Sequence, residues 1–201
     1  RYTYLEKNTG IAGNTNGALH MAKGDYIVFA DHDDLLAPEA LYEAARVLSE
    51  HPQIDLLYTD EDLIDADGNC IYPHFKPDFN LDLLRCINYI CHLTVVKRTL
   101  LERVGELRPE FDGAQDYDFI LRCVESTDQI YHIPKVLYHW RSHEESTAGN
   151  QDSKQYAIDA GKRALMEHYT RLGIRAEVEF TGLFIVYRTK FLIEGNPKVS
   201  I

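Results

Sequence analysis

At 201 residues, with 45% hydrophobic and 26% charged side chains, the chain has the size and make-up of one globular domain with a sizeable core. A formal net charge of −11 excludes general nucleic-acid binding, which needs a basic face to release counterions, and no apolar run reaches the length of a bilayer span. The four cysteines, Cys70, Cys86, Cys91 and Cys123, form no C-x-x-C pair and suggest neither a disulfide framework nor a zinc site, so a reduced, cytoplasmic setting is expected.

Residues 1–5 read as a strand. Residues 8–16 are rich in turn formers, and a short helix over 16–23 is predicted to stop at Gly24. Tyr26-Ile27-Val28-Phe29-Ala30 then forms a short apolar run, a predicted buried strand, which breaks off into Asp31-His32-Asp33-Asp34. Carboxylates at the carboxyl end of a buried strand stand where open α/β sheets hold their ligands, and a hard divalent cation is a reason to gather groups that repel one another. Asp31 and Asp33 are the simplest ligands; alternatively Asp34 caps the next helix and the others are merely solvated. An EF-hand calcium loop does not fit, because Leu36 and Tyr42 occupy the places of its turn glycine and bidentate glutamate.

Pro38 suits the first turn of a helix in which Leu41, Ala44, Ala45 and Leu48 share a face until His51-Pro52. Residues 54–58 are a second predicted buried strand, and Thr59-Asp60-Glu61-Asp62 is predicted to lie at its end, competing for the metal or supporting it through Asp60 and Asp62. Asp65-Ala66-Asp67-Gly68-Asn69 has the signature of a tight turn joining Leu63-Ile64 to Cys70-Ile71-Tyr72. A helix is predicted over 79–90, a strand over 93–96, and a short helix over 100–104 closed by Gly105.

The acidic stretch from Asp112 to Asp118 leads into a helix that turns Phe119, Ile120, Cys123 and Val124 to the core; its acids either complement the positive helix end or do chemistry. Strands are predicted over 129–133 and 136–140, separated by Pro134-Lys135. The loop beyond brings His139, Arg141 and His143 near several carboxylates, a set suited to metal and phosphate together. The longest helix is expected over 152–172, followed by strands over 175–181 and 183–191.

Several of these stretches, in this order, resemble the family 2 glycosyltransferases, inverting sugar transferases of the GT-A fold. They are residues 8–19, residues 22–34 ending in Asp31-His32-Asp33-Asp34, Val104-Gly105-Glu106-Leu107, Gln115-Asp116-Tyr117-Asp118 with the residues up to Arg122, and Val136 onward through Tyr138-His139-Trp140-Arg141-Ser142-His143. The resemblance implies an α/β fold with a GT-A-like (Rossmann-like) mixed, mainly parallel sheet flanked by helices and lacking its first strands. Residues 1–191 would form the catalytic domain, and 192–201 a linker with the first strand of a following domain, a second transferase.

It further implies that Asp31 and Asp33 hold Mg²⁺ or Mn²⁺ against the donor diphosphate, with His139 completing the metal shell. Asn8 and Asn16 would touch the UDP- or dTDP-linked sugar, Arg141 and His143 would grip the diphosphate, and Asp116 would be the catalytic base, next to Gln115 where the family often has Glu. The implied function is transfer with inversion to a saccharide or lipid-linked saccharide in surface polysaccharide synthesis, on the cytoplasmic side and, for a lipid-linked acceptor, in peripheral contact with the inner membrane face. Two other readings stand beside it. One is a metal-dependent phosphohydrolase of a nucleotide or sugar phosphate, which leaves Asp116 without a necessary role, and the other is a noncatalytic glycan-binding domain.

Overall fold

The computed structural model describes residues 2, 4–141, 151–183, 185–196 and 198, the side chains of 151–154 excepted. In chain order the elements are α1 (Gly10–Met21), β1 (Tyr26–Phe29), β2 (Leu35–Leu36), α2 (Ala40–Glu50), β3 (Leu56–Ile64), β4 (Cys70–His74), α3 (Leu81–Leu84) and β5 (Thr94–Lys97). They continue with α4 (Arg98–Val104), a 3-10 turn (Pro109–Phe111), α5 (Gln115–Ser126), β6 (Ile130–Arg141), α6 (Gln151–Arg171), β7 (Ala176–Phe180) and β8 (Tyr187–Phe191).

Strand alternation explains the layering, because successive side chains of a strand point to opposite faces. Leu57, Val95 and Ile133 meet Ala40, Ala44 and Val47 of α2 on one face. Ile27, Leu56 and Val96 meet Ala12 and Leu19 of α1, Leu100 and Leu101 of α4, and Phe119 and Cys123 of α5 on the other. Burial pushes the Cys123 thiol up to about 12, so this cysteine serves packing and not reactivity. Beyond α5, the buried Ala160, Ala164, Leu165 and Tyr169 of α6 pack with Tyr117, Ile120, Val178 and Tyr187 in a third cluster.

The sheet order is β1-β5-β3-β6-β2, with β4 added to β3, and β7 and β8 form a separate ribbon. The expected mixed sheet flanked by helices is present, with one refinement. Among the described residues β3 and β6 pair in parallel, and every other pairing is antiparallel. β1 still runs the same way as β3 and β6, because β5 lies between β1 and β3 and opposes both. The chain reverses once, at the β3–β4 turn, and β5 then keeps the direction of β4 on the other side of β3, so it opposes β3.

Several elements differ from their sequence-based bounds: residues 2, 4 and 5 of the strand expected over 1–5 are not in a strand, and β8 begins at Tyr187 rather than at 183. α1 begins at Gly10 rather than near residue 16, and α3 is one short turn where a helix through residue 90 was expected. β3 runs through the acidic residues instead of stopping before them, and the two strands expected around Pro134-Lys135 are one strand, β6. The register passes from Thr59↔Ile133 to Asp60↔Val136, so Pro134 and Lys135 bulge out of a continuous ladder. The Asp65–Asn69 turn is as expected: the Asn69 and Asp67 amides donate to the Asp65 carboxylate, and Gly68 supplies the required positive φ of 86°.

Where α5 meets α6, Glu125 accepts from Arg171 at 2.6 and 2.7 Å and lies 2.6 Å from Nδ1 of the buried His168. Burial raises its carboxyl, but the bonds to His168 and Arg171 outweigh that and hold it below the ordinary value of 4.5. A depressed folded value means stabilisation that is complete above the unfolded value and lost as pH falls through the folded one. Glu125→Gln is therefore expected to cost about 1–2 kcal/mol near neutrality. Urea melts should show that difference shrinking below pH 4.5; a gap that stays constant through this range would contradict it.

Candidate active site at the carboxyl end of the sheet

The carboxyl end of β1 delivers the chain into Asp31-His32-Asp33-Asp34, and β2 stitches this tip to the end of β6 through Leu35↔His139 and Leu36↔Tyr138. The Asp31 amide donates to the Tyr138 hydroxyl at 3.0 Å, and that hydroxyl donates to Asp34 at 2.5 Å. Burial first, then the bond to Asp34, pushes the Tyr138 hydroxyl far up, so it stays a donor. The Arg141 amide donates to the other Asp34 oxygen at 2.8 Å, and its guanidinium donates to the Asp33 carbonyl at 2.7 Å. Asp34 thus fastens the tip to β6, the closest the structure comes to the capping role considered for it.

Because β5 is antiparallel, it starts where β1 ends, and the residues just before it land on the site. Phe29 pairs with Thr94, which places His92 beside Asp31. Its Nε2 lies 3.9 Å from Asp31 Oδ2, and its ring stacks on Tyr138 with centroids 4.8 Å apart. Ligand atoms of Asp31, Asp34 and His92 all lie within 4.8 Å of one another. Burial raises the Asp31 carboxyl, His92 opposes this, and Asp34, Asp116 and Asp33 add repulsion. Sequence reasoning missed His92 because it belongs to no motif; its only signal is a place directly before a buried strand whose direction the sequence does not show.

Asp116 sits in the first turn of α5. Asn88, from the irregular segment after α3, donates to Asp116 Oδ2 at 2.8 Å, and the Cys91 thiol lies 3.7 Å from the same oxygen. Gln115, which replaces the family's frequent Glu, turns away and accepts from the Gly113 amide at 2.8 Å, a bond that Glu would also accept. Two residues along, Asp118 is fully buried and receives Arg108 and Arg122. Arg108 also reaches Glu167 of α6, so Asp118 serves as a structural junction.

Other predicted residues are drawn elsewhere. His139 is not grouped with Asp31: its Nδ1 lies 2.6 Å from Asp62 Oδ1 and 3.7 Å from Cys70 Sγ, in a separate cluster on β3, β4 and β6. Its place opposite Asp62 in the β3–β6 ladder accounts for the pairing. Both ends of the Asn16 amide are engaged by the Leu107 backbone, at 2.7 and 3.0 Å, so a donor contact would have to displace both bonds. Asn8 accepts from the Gly10 amide and from Asn14, shaping the entry into α1. His143 lies outside the described residues.

The acids from Asp112 to Asp118 serve two helix ends: Asp116 and Asp118 lie in the first turn of α5, and Asp112 caps α1. Asp112 accepts from the Ile11 and Ala12 amides at 3.2 and 2.9 Å, from a hundred residues away. Gly10, at φ 82°, is required there, since a Cβ would come within 2.4 Å of the Asp112 carboxylate. The acidic run of β3 is likewise paired. Asp60 receives the Lys76 amide and lies 2.7 Å from His132, and Glu61 receives the buried Lys76 ammonium at 3.1 Å and contacts His74 at 3.2 Å. Lys76 also donates to the carbonyls of Ile90 and His92, tying β4 to the segment that carries His92.

The family model for Glycosyl transferase family 2 matches residues 1–105. O-antigen biosynthesis protein RfbC of Myxococcus xanthus is 44% identical over 93% of the chain. The chain spans 15% of the length of that relative, and 22% of an uncharacterised protein of Sinorhizobium fredii that is 45% identical over all of it. Among solved structures, TarS 1–349 of Staphylococcus aureus in complex with UDP aligns over 83% of this chain and 53% of its own, at TM-score 0.55 and 21% identity. A mannosyltransferase of Pyrobaculum calidifontis in complex with GDP-Man and Mn²⁺ aligns over 83% and 44%, at TM-score 0.53 and 20% identity. The sequence match over more than half of the chain, on a sheet whose carboxyl end gathers the acidic tip, shows that the chain belongs to glycosyl transferase family 2.

Proposed function

We propose that the chain transfers a sugar from a UDP- or dTDP-linked donor to a saccharide hydroxyl, with inversion, and that Asp116 is the general base. The observation that carries this is the convergence of Asp116, from the start of α5, and Asp31, from the end of β1, on one short segment: Asn88 and Cys91 contact Asp116, and His92, next in the chain, faces Asp31. Inversion needs one carboxylate to take the acceptor proton and a separate group to stabilise the departing diphosphate. A tip held by Asp34 and Tyr138, and a base held by Asn88, supply two such places on one sheet end.

The donor set at the tip fits a hard divalent cation: carboxylates of Asp31 and Asp34 with the His92 imidazole, and Asp33 from the same tip. We assign the imidazole of that set to His92 in place of His139. A bound Mg²⁺ or Mn²⁺ would supply charge neutralisation for the leaving diphosphate. The chain's own residues orient the reaction: Arg141 beside Asp33 offers a guanidinium for phosphate oxygens, and Asp116 takes the proton of the attacking hydroxyl. The Mn²⁺ and nucleotide sugar of the Pyrobaculum structure and the UDP of TarS support the donor class. The Myxococcus relative, named for O-antigen biosynthesis, supports a surface saccharide as acceptor. No helix among the described residues is long and apolar enough to cross a membrane.

Calorimetry tests the donor site. UDP or dTDP should bind with Mn²⁺ present and lose affinity on chelation, and Asp33→Ala should weaken metal-dependent binding about 10–100-fold or more. Binding that ignores both the metal and the substitution would place the nucleotide elsewhere.

A further inference from the structure

A cavity of about 500 Å³, an ordinary size for a small-molecule site, opens beside the tip and is lined by Glu61, Asp62, Leu63, Tyr72, His74 and Trp140. Its wall reaches the candidate active site through one ring: Trp140 leans on His92 with centroids 6.0 Å apart, and His92 faces Asp31. The floor is fixed by the Glu61 bonds to Lys76 and His74 and by the Asp62 bond to His139.

The mouth is shaped by an irregularity in the β3–β4 hairpin. Leu63 pairs with Ile71 and Glu61 with His74, so Tyr72 and Pro73 stand opposite Asp62 alone, two residues against one. Tyr72 has φ 48°, a conformation costly for a bulky side chain, and the residue is 77% exposed. A bulge that re-aims a side chain, and a strained residue that keeps an aromatic ring in solvent beside a cavity, are features of ligand sites rather than of hairpin stability. Pro73 suits the bulge, having no amide proton to satisfy.

The chemistry of the lining selects the ligand. Tyr72 and Trp140 offer apolar ring faces, Glu61, Asp62 and His74 offer hydrogen-bonding groups, and no Lys or Arg lines the described wall. A pyranose has this duality, with a C–H face and a rim of hydroxyls, whereas a phosphorylated ligand would meet the Asp62 carboxylate and no open cation, because Lys76 is buried and already taken up by Glu61 and two carbonyls. We infer that the cavity is the subsite for an uncharged pyranose of the acceptor saccharide, with Tyr72 and Trp140 as its stacking rings. The word acceptor rests on the transfer reading above; the pyranose chemistry does not.

Trp140 is the chain's sole tryptophan, so its fluorescence reports entry to the cavity. Methyl β-galactopyranoside, methyl α-rhamnopyranoside and methyl N-acetyl-β-glucosaminide would each be titrated without nucleotide or metal, with glycerol as control. At least one should give a saturable change that Tyr72→Phe preserves and Tyr72→Ala weakens about tenfold or more, while calorimetric UDP–Mn²⁺ binding stays unchanged in both variants. No saturable change with any pyranoside, in protein that binds UDP–Mn²⁺, overturns the subsite and leaves the transfer reading intact. A change seen only when the same sugars arrive as UDP-galactose, dTDP-rhamnose or UDP-N-acetylglucosamine overturns it in favour of a donor pocket. Pyranoside binding in protein that binds no nucleotide overturns the acceptor assignment together with the transfer reading.

Discussion

Asp116→Asn is expected to lower sugar transfer about 10²–10⁴-fold, the usual contribution of a positioned general base, while metal-dependent UDP binding stays within about twofold of the parent. The amide replaces the carboxylate at equal size and still accepts from Asn88, so the start of α5 keeps its shape. The lost charge acts in two opposing senses, since Asp116 attracts a cation held at Asp31 and repels the diphosphate that the cation carries, so binding of the pair changes little. Transfer and calorimetry on one preparation separate the outcomes. Full transfer by the variant would remove Asp116 from the reaction, and lost binding would make it part of the donor site.

Asp118→Asn, two residues further on, should do the reverse. Asp118 is fully buried between Arg108 and Arg122, and Arg108 continues to Glu167, so one carboxylate joins the segment before the 3-10 turn, α5 and α6. Removing the buried carboxylate leaves Arg122 without its counter-ion and Arg108 with Glu167 as its remaining close partner. The expected cost is about 3–5 kcal/mol, a fall in melting midpoint on the order of 10 °C. A domain's whole stability is about 5–15 kcal/mol, so urea melts should show this plainly. Below the new midpoint the folded fraction should retain its turnover per molecule. A variant as stable as the parent would mean that solvent already screens the cluster.

These neighbours show what a linear reading can and cannot resolve. Both acids are visible in Gln115-Asp116-Tyr117-Asp118, but their division of labour depends on helix phase and on Asn88 and Arg108, which come from 28 and 10 residues earlier in the chain. The tip after Tyr26–Phe29 was legible because a short apolar run and its acidic end are contiguous. β3 was cut short because Asp60, Glu61 and Asp62 look like a solvated strand end; the partners that let them be buried, Lys76, His132 and His139, lie 15 to 77 residues away. The start of α1 was set too late for the same reason, since its cap comes from Asp112. His92 was missed because its position follows from the direction of β5, a fact of sheet topology.

The Asp112 contact has a consequence for how the site attracts its substrate. A helix N-terminus with unoccupied amides is a ready anion trap, and many phosphate-binding proteins use one. In this chain the α1 trap is stoppered by an internal carboxylate, and the neighbouring tip carries Asp31, Asp33 and Asp34 in a molecule of net charge −11. On the transfer reading, a nucleotide approaching this end would meet a repelling field that a bound divalent cation would offset. Donor affinity should then rise and fall with free Mg²⁺ or Mn²⁺, coupling sugar transfer to the divalent-ion supply around the protein.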